Sequence, residues 1–161
     1  MEEVRKIIIS DVDDTVVDPS LRLETCKKET GDNKRLFWNC FLSDKYLYLD
    51  LPILRTIRFL QRYWGTDIIF ITGRTENMRK GTIMQFSVFN IPWTEIIFRK
   101  EKDFRKDYIY KAEAVQNIIE RYLAMGKKPE ILFMVDDSED VRREIENRFN
   151  IKAIDPSLLS L

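Results

Sequence analysis

The stretch Lys6-Ile7-Ile8-Ile9-Ser10-Asp11-Val12-Asp13-Asp14-Thr15 decides how the rest of the chain is read. Three consecutive isoleucines without polar alternation predict a strand covered on both faces, as inside a parallel sheet. The run then breaks into acids. Asp11 and Asp13 are two positions apart, so an extended backbone turns both to one side. An acidic turn after a strand is the plain reading. The carboxyl end of a buried strand is also where open α/β sheets bind ligands, and the residues downstream weigh between the two.

Residues 5–10 form the first strand, and later apolar runs repeat it at Asp67-Ile68-Ile69-Phe70-Ile71, Glu95-Ile96-Ile97-Phe98 and Glu130-Ile131-Leu132-Phe133-Met134-Val135, with a last strand at residues 151–154. Helical patterns lie between them. Ile53, Ile57, Leu60 and Trp64 make one apolar stripe on a helix expected to start near Asp50, with Pro52 in its first turn and Gly65 as its stop. Thr75 is expected to cap a helix reaching about Phe89. Another helix from Asp107 to about Met125 puts Val115, Ile119 and Tyr122 on one face, and Ser138 is expected to cap a helix burying Val141, Ile145 and Phe149. This alternation predicts an α/β fold of three layers, Rossmann-like, with a parallel sheet and helices on both faces.

Residues 16–50 interrupt the pattern. They hold a turn at Asp18-Pro19-Ser20, a polar stretch from Lys27 to Arg35, the aromatic run Leu36-Phe37-Trp38-Asn39-Cys40-Phe41, and an alternation from Tyr46 to Asp50 that suggests a short strand or hairpin arm. This segment is too short for a large lid and reads as a small aromatic cover, a flap or minimal cap, within a single domain spanning residues 1–161.

Composition narrows the chemistry. The chain of 161 residues has 27 basic and 27 acidic residues, so net charge demands no nucleic-acid or membrane partner. Charged residues are 34% of the chain, above the usual ~25% and in the direction of thermophile proteins. There is no histidine, which excludes histidine triads, histidine bases and histidine-ligated metals. The two cysteines, Cys26 and Cys40, lack metal-site spacing and do not amount to a disulfide scaffold. No apolar run approaches ~18 residues, so a soluble, reducing, cytoplasmic setting is expected.

Polar residues then recur at the ends of elements. Asp11 and Asp13 end strand one; Thr72 and Arg74 end strand two; Asp107 and Lys111 open a helix one turn apart; Asp136 and Asp137 end strand four. Each has a plain explanation as a cap or a surface ion pair. Parallel strands, however, present their carboxyl ends at one edge, so the acids, the hydroxyl and the cation converge there.

In this order, Asp11-Val12-Asp13-Asp14-Thr15, Thr72-Gly73-Arg74, Lys111 and Asp136-Asp137 resemble the four motifs of haloacid dehalogenase (HAD) superfamily phosphatases, across the whole chain. Arg105-Lys106-Asp107-Tyr108-Ile109-Tyr110-Lys111-Ala112-Glu113 is similar to the matching stretch in the 3′-phosphatase domain of phage polynucleotide kinase. Asp14 departs from the pattern, where Gly is more usual. The resemblance implies a HAD-type Mg²⁺-dependent phosphomonoester hydrolase working through an aspartyl-phosphate. Asp11 would be the nucleophile and Asp13 the acid and base, for which its pKa would need to be raised. Thr72 and Lys111 would contact the phosphoryl group, and Asp107 would hold the Lys111 ammonium. Thr15, Arg74 and Asp107 would lie on the substrate side. Mg²⁺ ligands would be Asp11, the Asp13 backbone carbonyl and Asp136, with Asp137 ligating or orienting, and Asp140 in reserve.

The resemblance implies a phosphomonoester substrate. A nucleic-acid 3′ end is favoured by an open site; the five cations and one aromatic between Arg99 and Lys106 offer a strand contact, but Glu101 and Asp103 among them make a solvated loop the plainer reading. A nucleotide or sugar phosphatase is the alternative. A receiver-like phosphoacceptor domain ranks below both, since Lys111 precedes the final acid pair, and an inactive binding module has no support because no motif residue is missing. The oligomeric state is open.

Overall fold

The computed structural model describes residues 3–160. Thirteen strands and α-helices follow in order: β1 Glu3–Ser10, β2 Val17–Asp18, α1 Ser20–Thr30, α2 Lys34–Phe41, β3 Leu51–Pro52, α3 Leu54–Gln61, β4 Asp67–Thr75, α4 Arg79–Val88, β5 Glu95–Arg99, α5 Asp107–Ala124, β6 Lys127–Val135, α6 Glu139–Phe149 and β7 Ala153–Ile154. The main sheet is parallel in the order β5-β4-β1-β6-β7. The strand read first in the sequence is therefore central, with Ile7, Ile8 and Ile9 all fully buried. Burying each contributes about 1.5–3 kcal/mol.

Period-two geometry divides these isoleucines between two cores. Ile8 joins Ile57 and Leu60 of α3, Phe70, and Phe86 of α4 on one face. Ile7 and Ile9 join Val115 and Ile118 of α5 and Val141 and Ile145 of α6 on the other. This is the three-layer α/β architecture the sequence predicts. Chain order reverses at β1, whose neighbours are β4 and β6, and such a switch point opens a crevice at the strands' carboxyl ends. Ser10 is level with Phe70 on one side and Val135 on the other, which brings Asp11, Thr72 and Asp136 to one edge.

Residues 16–50 are more regular than the sequence suggested. They hold two helices, and α1 was hidden because its buried positions are Arg22 and Cys26, which leave no apolar stripe. The segment leaves and rejoins the body at one place, where β2 pairs antiparallel with β3. The arm expected at Tyr46 to Asp50 is instead a 3₁₀ turn, Leu47–Leu49. Its N–H groups are satisfied locally, Leu49 to Tyr46 and Asp50 to Leu47, both at 3.0 Å, so no partner strand is needed. α4 lies hard against this turn at Gly81, where a Cβ would come 2.6 Å from Asp44.

Other boundaries also move. Pro52 belongs to β3, and α3 starts two residues later. A proline is tolerated in such a short edge strand. α3 stops at Gln61, so Trp64 falls off the predicted stripe and is 95% exposed. Thr75 makes no side-chain cap; a 3₁₀ turn, Glu76–Met78, separates it from α4. Ser138 does cap α6, accepting from the Val141 N–H.

The reading of the cysteines is corrected outright. Cys26 of α1 and Cys40 of α2 are joined in a disulfide, their Cα atoms 5.8 Å apart. Packing of α1 against α2 brings the two positions together, and a spacing of 14 residues in the chain does not reveal it.

Candidate active site

Asp11 closes β1, its backbone N–H donating to the Val135 carbonyl at 2.9 Å. Its carboxylate is buried but not isolated. The Lys111 ammonium lies 2.9 Å from Oδ1, and the Thr15 hydroxyl donates to Oδ2 at 3.3 Å. Lys111 comes from the first turns of α5, which is pinned to the end of β4 by the Tyr110 hydroxyl donating to the Thr72 carbonyl at 3.0 Å. The same ammonium reaches Asp136 Oδ2 at 2.7 Å and Asp107 Oδ2 at 3.3 Å. Burial opposes the charge on Lys111, but Asp11, Asp136 and Asp107 together raise its pKa well above the ordinary value. It is a buried cation held in place by three carboxylates.

Asp11, Asp136 and Asp137 offer carboxylate oxygens that all lie within 4.8 Å of one another. Burial, and then the charge of Asp11, push Asp136 up to about 7. Burial, hydrogen bonding with Asp11 and the charges of Asp11 and Asp136 push Asp137 up to about 8. One lysine does not compensate three crowded carboxylates. An all-oxygen donor set of this kind fits a hard divalent cation such as Mg²⁺. Asp140 is no part of the cluster; it is exposed and faces Arg143 at 3.8 Å.

Asp13 is in a different environment from the one expected. Arg74 donates to it twice, Nε to Oδ2 at 3.1 Å and Nη2 to Oδ1 at 2.8 Å. Arg22 donates from α1, Nη2 to Oδ1 at 2.9 Å. Burial favours the neutral acid, but the charges and hydrogen bonds of Arg74 and then Arg22 outweigh it and hold the pKa of Asp13 below its ordinary value. The expected upward shift is thus reversed: the neighbours that decide it are guanidiniums, not carboxylates.

Both arginines continue to buried Asp50, Arg22 Nε at 3.0 Å and Arg74 Nη2 at 3.2 Å, and Arg74 also reaches the Thr82 hydroxyl at 3.0 Å. The expected phosphate clamp, Arg74, lies at the edge of the cleft but is only 1% exposed, with all three guanidinium nitrogens hydrogen-bonded to protein groups. Thr15, expected on the substrate side, is fully buried behind Asp11. Thr72 borders the cleft, its hydroxyl accepting from the Arg74 N–H at 3.0 Å. Asp107 holds Lys111 as expected and remains partly exposed.

Sequence reasoning missed Arg22 and Asp50. They lie 9 and 37 positions from Asp13 and carry no local signal. Asp14 did carry one: its φ is +65°, the left-handed region where glycine is free and aspartate is tolerated. The glycine usual at this position in the resembled motif is explained by that backbone.

A cleft of about 750 Å³ opens over these groups. Asp11, Asp13, Thr72, Lys111 and Asp137 border it from the sheet edge, Trp38, Phe41 and Leu42 from α2 and its end, and Phe104 and Arg105 from the β5–α5 loop. The family model for HAD superfamily, subfamily IIIB (acid phosphatase) matches residues 2–149. The chain belongs to this family. It is a HAD-type phosphatase, with the mostly parallel α/β sheet of that superfamily.

Among solved structures, this phosphatase is similar to a chain of the Pnkp1/Rnl/Hen1 complex (TM-score 0.67, 21% identity, 94% of this chain and 46% of that one). A chain of the Pnkp1/Rnl/Hen1 RNA repair complex is similar to the same degree (TM-score 0.67, 20% identity, 94% of this chain and 42% of that one). The phosphatase therefore spans less than half the length of these two chains. The HAD domain of effector protein Lem4 from Legionella pneumophila, an inactive mutant, matches over 98% of this chain and 89% of that one, with a TM-score of 0.51 and 18% identity. No curated protein matches by sequence. Among the described residues no helix is long and apolar enough to cross a membrane.

Proposed function

We propose that this HAD phosphatase is a Mg²⁺-dependent phosphomonoesterase that works through an acyl phosphate on Asp11 and acts on polynucleotide 3′ ends. The observation carrying the mechanism is the Asp11 carboxylate beside the Lys111 ammonium, 2.9 Å away at the floor of the cleft. A carboxylate attacking a phosphate anion meets repulsion of roughly 4 kcal/mol at 4 Å and an effective dielectric of 20. Lys111 offsets it with a charge already in place. Asp11 attacks phosphorus as the leaving oxygen departs, and Asp13 gives that oxygen its proton. Asp13 then takes a proton from the water that attacks the aspartyl-phosphate, which frees Asp11 and inorganic phosphate. Thr72 donates to a phosphoryl oxygen at the cleft edge, and Thr15 holds Asp11 in line. Asp11, Asp136, Asp137 and the Asp13 carbonyl would hold Mg²⁺, whose chemistry there is to neutralise phosphoryl charge. Asp107 positions Lys111, and Arg74 and Arg22 position Asp13.

The polynucleotide part rests on an open cleft bordered by a short cover and a cationic loop. Membership of chains of similar fold in an RNA repair complex supports the same reading. A cytoplasmic location is proposed with the disulfide included, because intracellular disulfides persist in hyperthermophiles, and the 34% charged residues point the same way. The unit proposed is residues 1–161 as one domain, with residues 16–50 as its cap.

The test is Mg²⁺-dependent phosphate release from p-nitrophenyl phosphate and from oligonucleotides phosphorylated at the 3′ or the 5′ end. Strong preference for the 3′ end is expected, with Asp11→Asn inactive but folded. Substantial turnover by Asp11→Asn removes the mechanism. Equal rates on the 5′- and the 3′-phosphorylated oligonucleotide, or activity on p-nitrophenyl phosphate alone, remove the substrate and favour the small-molecule reading.

A further inference from the structure

Two large aromatic side chains border the catalytic cleft with their surfaces in water. Trp38 is 52% exposed and Phe104 is 88% exposed. A single exposed aromatic is unremarkable on a protein surface. These two come from separate elements, α2 and the β5–α5 loop, and both edge the same cleft.

Each is also held from behind. Trp38 packs edge-on against Phe37, with ring centroids 5.1 Å apart, and against Phe41 at 6.1 Å. Phe41 is held in turn by Arg22, whose guanidinium lies 4.3 Å from its ring centre and donates to its carbonyl at 2.8 Å. Phe104 lies between Asp103 and Arg105, which are joined by a two-point fork, Nε to Oδ1 at 2.9 Å and Nη2 to Oδ2 at 2.7 Å. Arg105 also pairs with Glu113, which anchors the loop to α5. The backbone around Phe104 is fastened while its ring is left in solvent. That is the arrangement of a presented surface, not of a core residue that failed to pack.

The charge beside it matches an anionic chain. The forks absorb Asp103, the acid at the centre of the loop. Lys100, Lys102 and Lys106 are exposed and make no ion pair among the described residues, against Glu101 as the loop's one unpaired acid.

Resting on the polynucleotide reading above, we infer that Trp38 and Phe104 form an aromatic pinch that takes the terminal base of a single-stranded 3′ end, while the loop lysines follow the phosphate backbone. A base can be held on both faces only after leaving its neighbours in a duplex. The site therefore selects an unpaired 3′-terminal nucleoside of any sequence, since every base offers a π-face. Blunt duplex ends and ends lacking a base are poor substrates.

The experiment compares kcat/KM with Mg²⁺ on three oligonucleotides carrying a 3′-phosphate: single-stranded, single-stranded with a tetrahydrofuran abasic residue at the terminus, and blunt duplex. The ratio of the first to the second reports the base alone, because both use the same catalytic centre. In the wild type this ratio is expected to be about 5 to 150, the equivalent of stacking one base. It falls toward one in Trp38→Ala and in Phe104→Ala, and Trp38→Phe restores most of it. A wild-type ratio near one, or a ratio unmoved in both alanine variants, overturns the pinch while the polynucleotide reading stands. Equal activity on blunt duplex and single strand also overturns it. Lack of preference for any of the oligonucleotides over p-nitrophenyl phosphate overturns the underlying reading, and the pinch with it.

Discussion

Arg74 grips Asp13 through two parallel hydrogen bonds, 3.1 Å from Nε and 2.8 Å from Nη2. A guanidinium fork fixes both the position and the plane of a carboxylate. It also keeps that carboxylate ionised at neutral pH, which suits a base and opposes an acid. In the proposed cycle the group must be both in turn. The fork therefore biases Asp13 toward activating water, and its first task, protonating the leaving oxygen, becomes the demanding one.

Asp13→Asn removes the transferable proton but keeps the side-chain shape. Its effect should depend on the leaving group. With an alkyl phosphate or a nucleotide 3′-phosphate, turnover should fall by about 10²–10⁴, the usual contribution of general acid–base catalysis. With p-nitrophenyl phosphate, whose leaving group needs no proton, release of p-nitrophenolate in the first turnover should fall far less. Burst kinetics on the two substrates separate these outcomes. An equal loss in both first turnovers would remove Asp13 from the role of acid.

The same fork makes a prediction for stability against pH. The pKa of Asp13 in the folded protein is below its ordinary value of 3.8. Its pairing with Arg74 and Arg22 therefore contributes fully above that value and is lost as pH falls through the lower folded value. Thermal unfolding from about pH 6 down to about pH 2 should show Asp13→Asn less stable than the wild type at the upper end. The gap should narrow as the wild-type carboxylate is protonated. A constant gap across the range would show that the carboxylate charge is not what the arginines stabilise.

Crowding of Asp11, Asp136 and Asp137 within 4.8 Å should make the fold responsive to a divalent cation. Mg²⁺ at about a hundred times its Kd adds about 2.7 kcal/mol to a protein that binds it only when folded. For a domain of this size that is a rise in Tm of roughly 5–10 °C. Asp136→Asn should lose most of the rise. Calorimetry with and without Mg²⁺ reads both, and an unchanged wild-type Tm at saturating Mg²⁺ would argue against a metal at this cluster.

The Cys26–Cys40 bond closes a separation of 14 residues between α1 and α2. A crosslink of that length stabilises by about 3 kcal/mol in the chain-entropy account. The double variant Cys26→Ser/Cys40→Ser should therefore melt lower by roughly 6–12 °C. Its KM should also rise for a 3′-phosphorylated oligonucleotide, because α1 carries Arg22 and α2 carries Trp38. Alkylation of unreduced protein, read by mass, should find no free thiol. Full labelling of both cysteines would refute the bond.

How much of this was legible follows from how far each signal reaches along the chain. The isoleucine run, the later apolar runs and the helical stripes are local patterns, and they placed the five strands of the main sheet in order. Asp11, Thr72, Lys111 and Asp136 could be assembled from sequence because parallel strands must end at one edge, and that topology is itself predicted by strand–helix alternation. Lys111 beside Asp107 needed only one helical turn. The residues of 16–50 resisted the same treatment. α1 buries an arginine and a cysteine, so the period that announces other helices is missing.

What the sequence alone determined is the α/β class, the strand whose carboxyl end carries Asp11, and the acids and the lysine around it. Each follows from backbone periodicity and from which residues stand at element ends. The tertiary structure alone decided the state of Asp13, the burial of Arg74 and Thr15, the disulfide, and the two aromatics left facing the cleft. A pKa is set by whatever charges arrive within a few ångströms, and here those charges come from Arg22, 9 residues away, and Arg74, 61 residues away. No periodic pattern records a contact over such separations; pairing of β4 with β1 brings Arg74 to the carboxylate, and packing α1 onto the sheet brings Arg22.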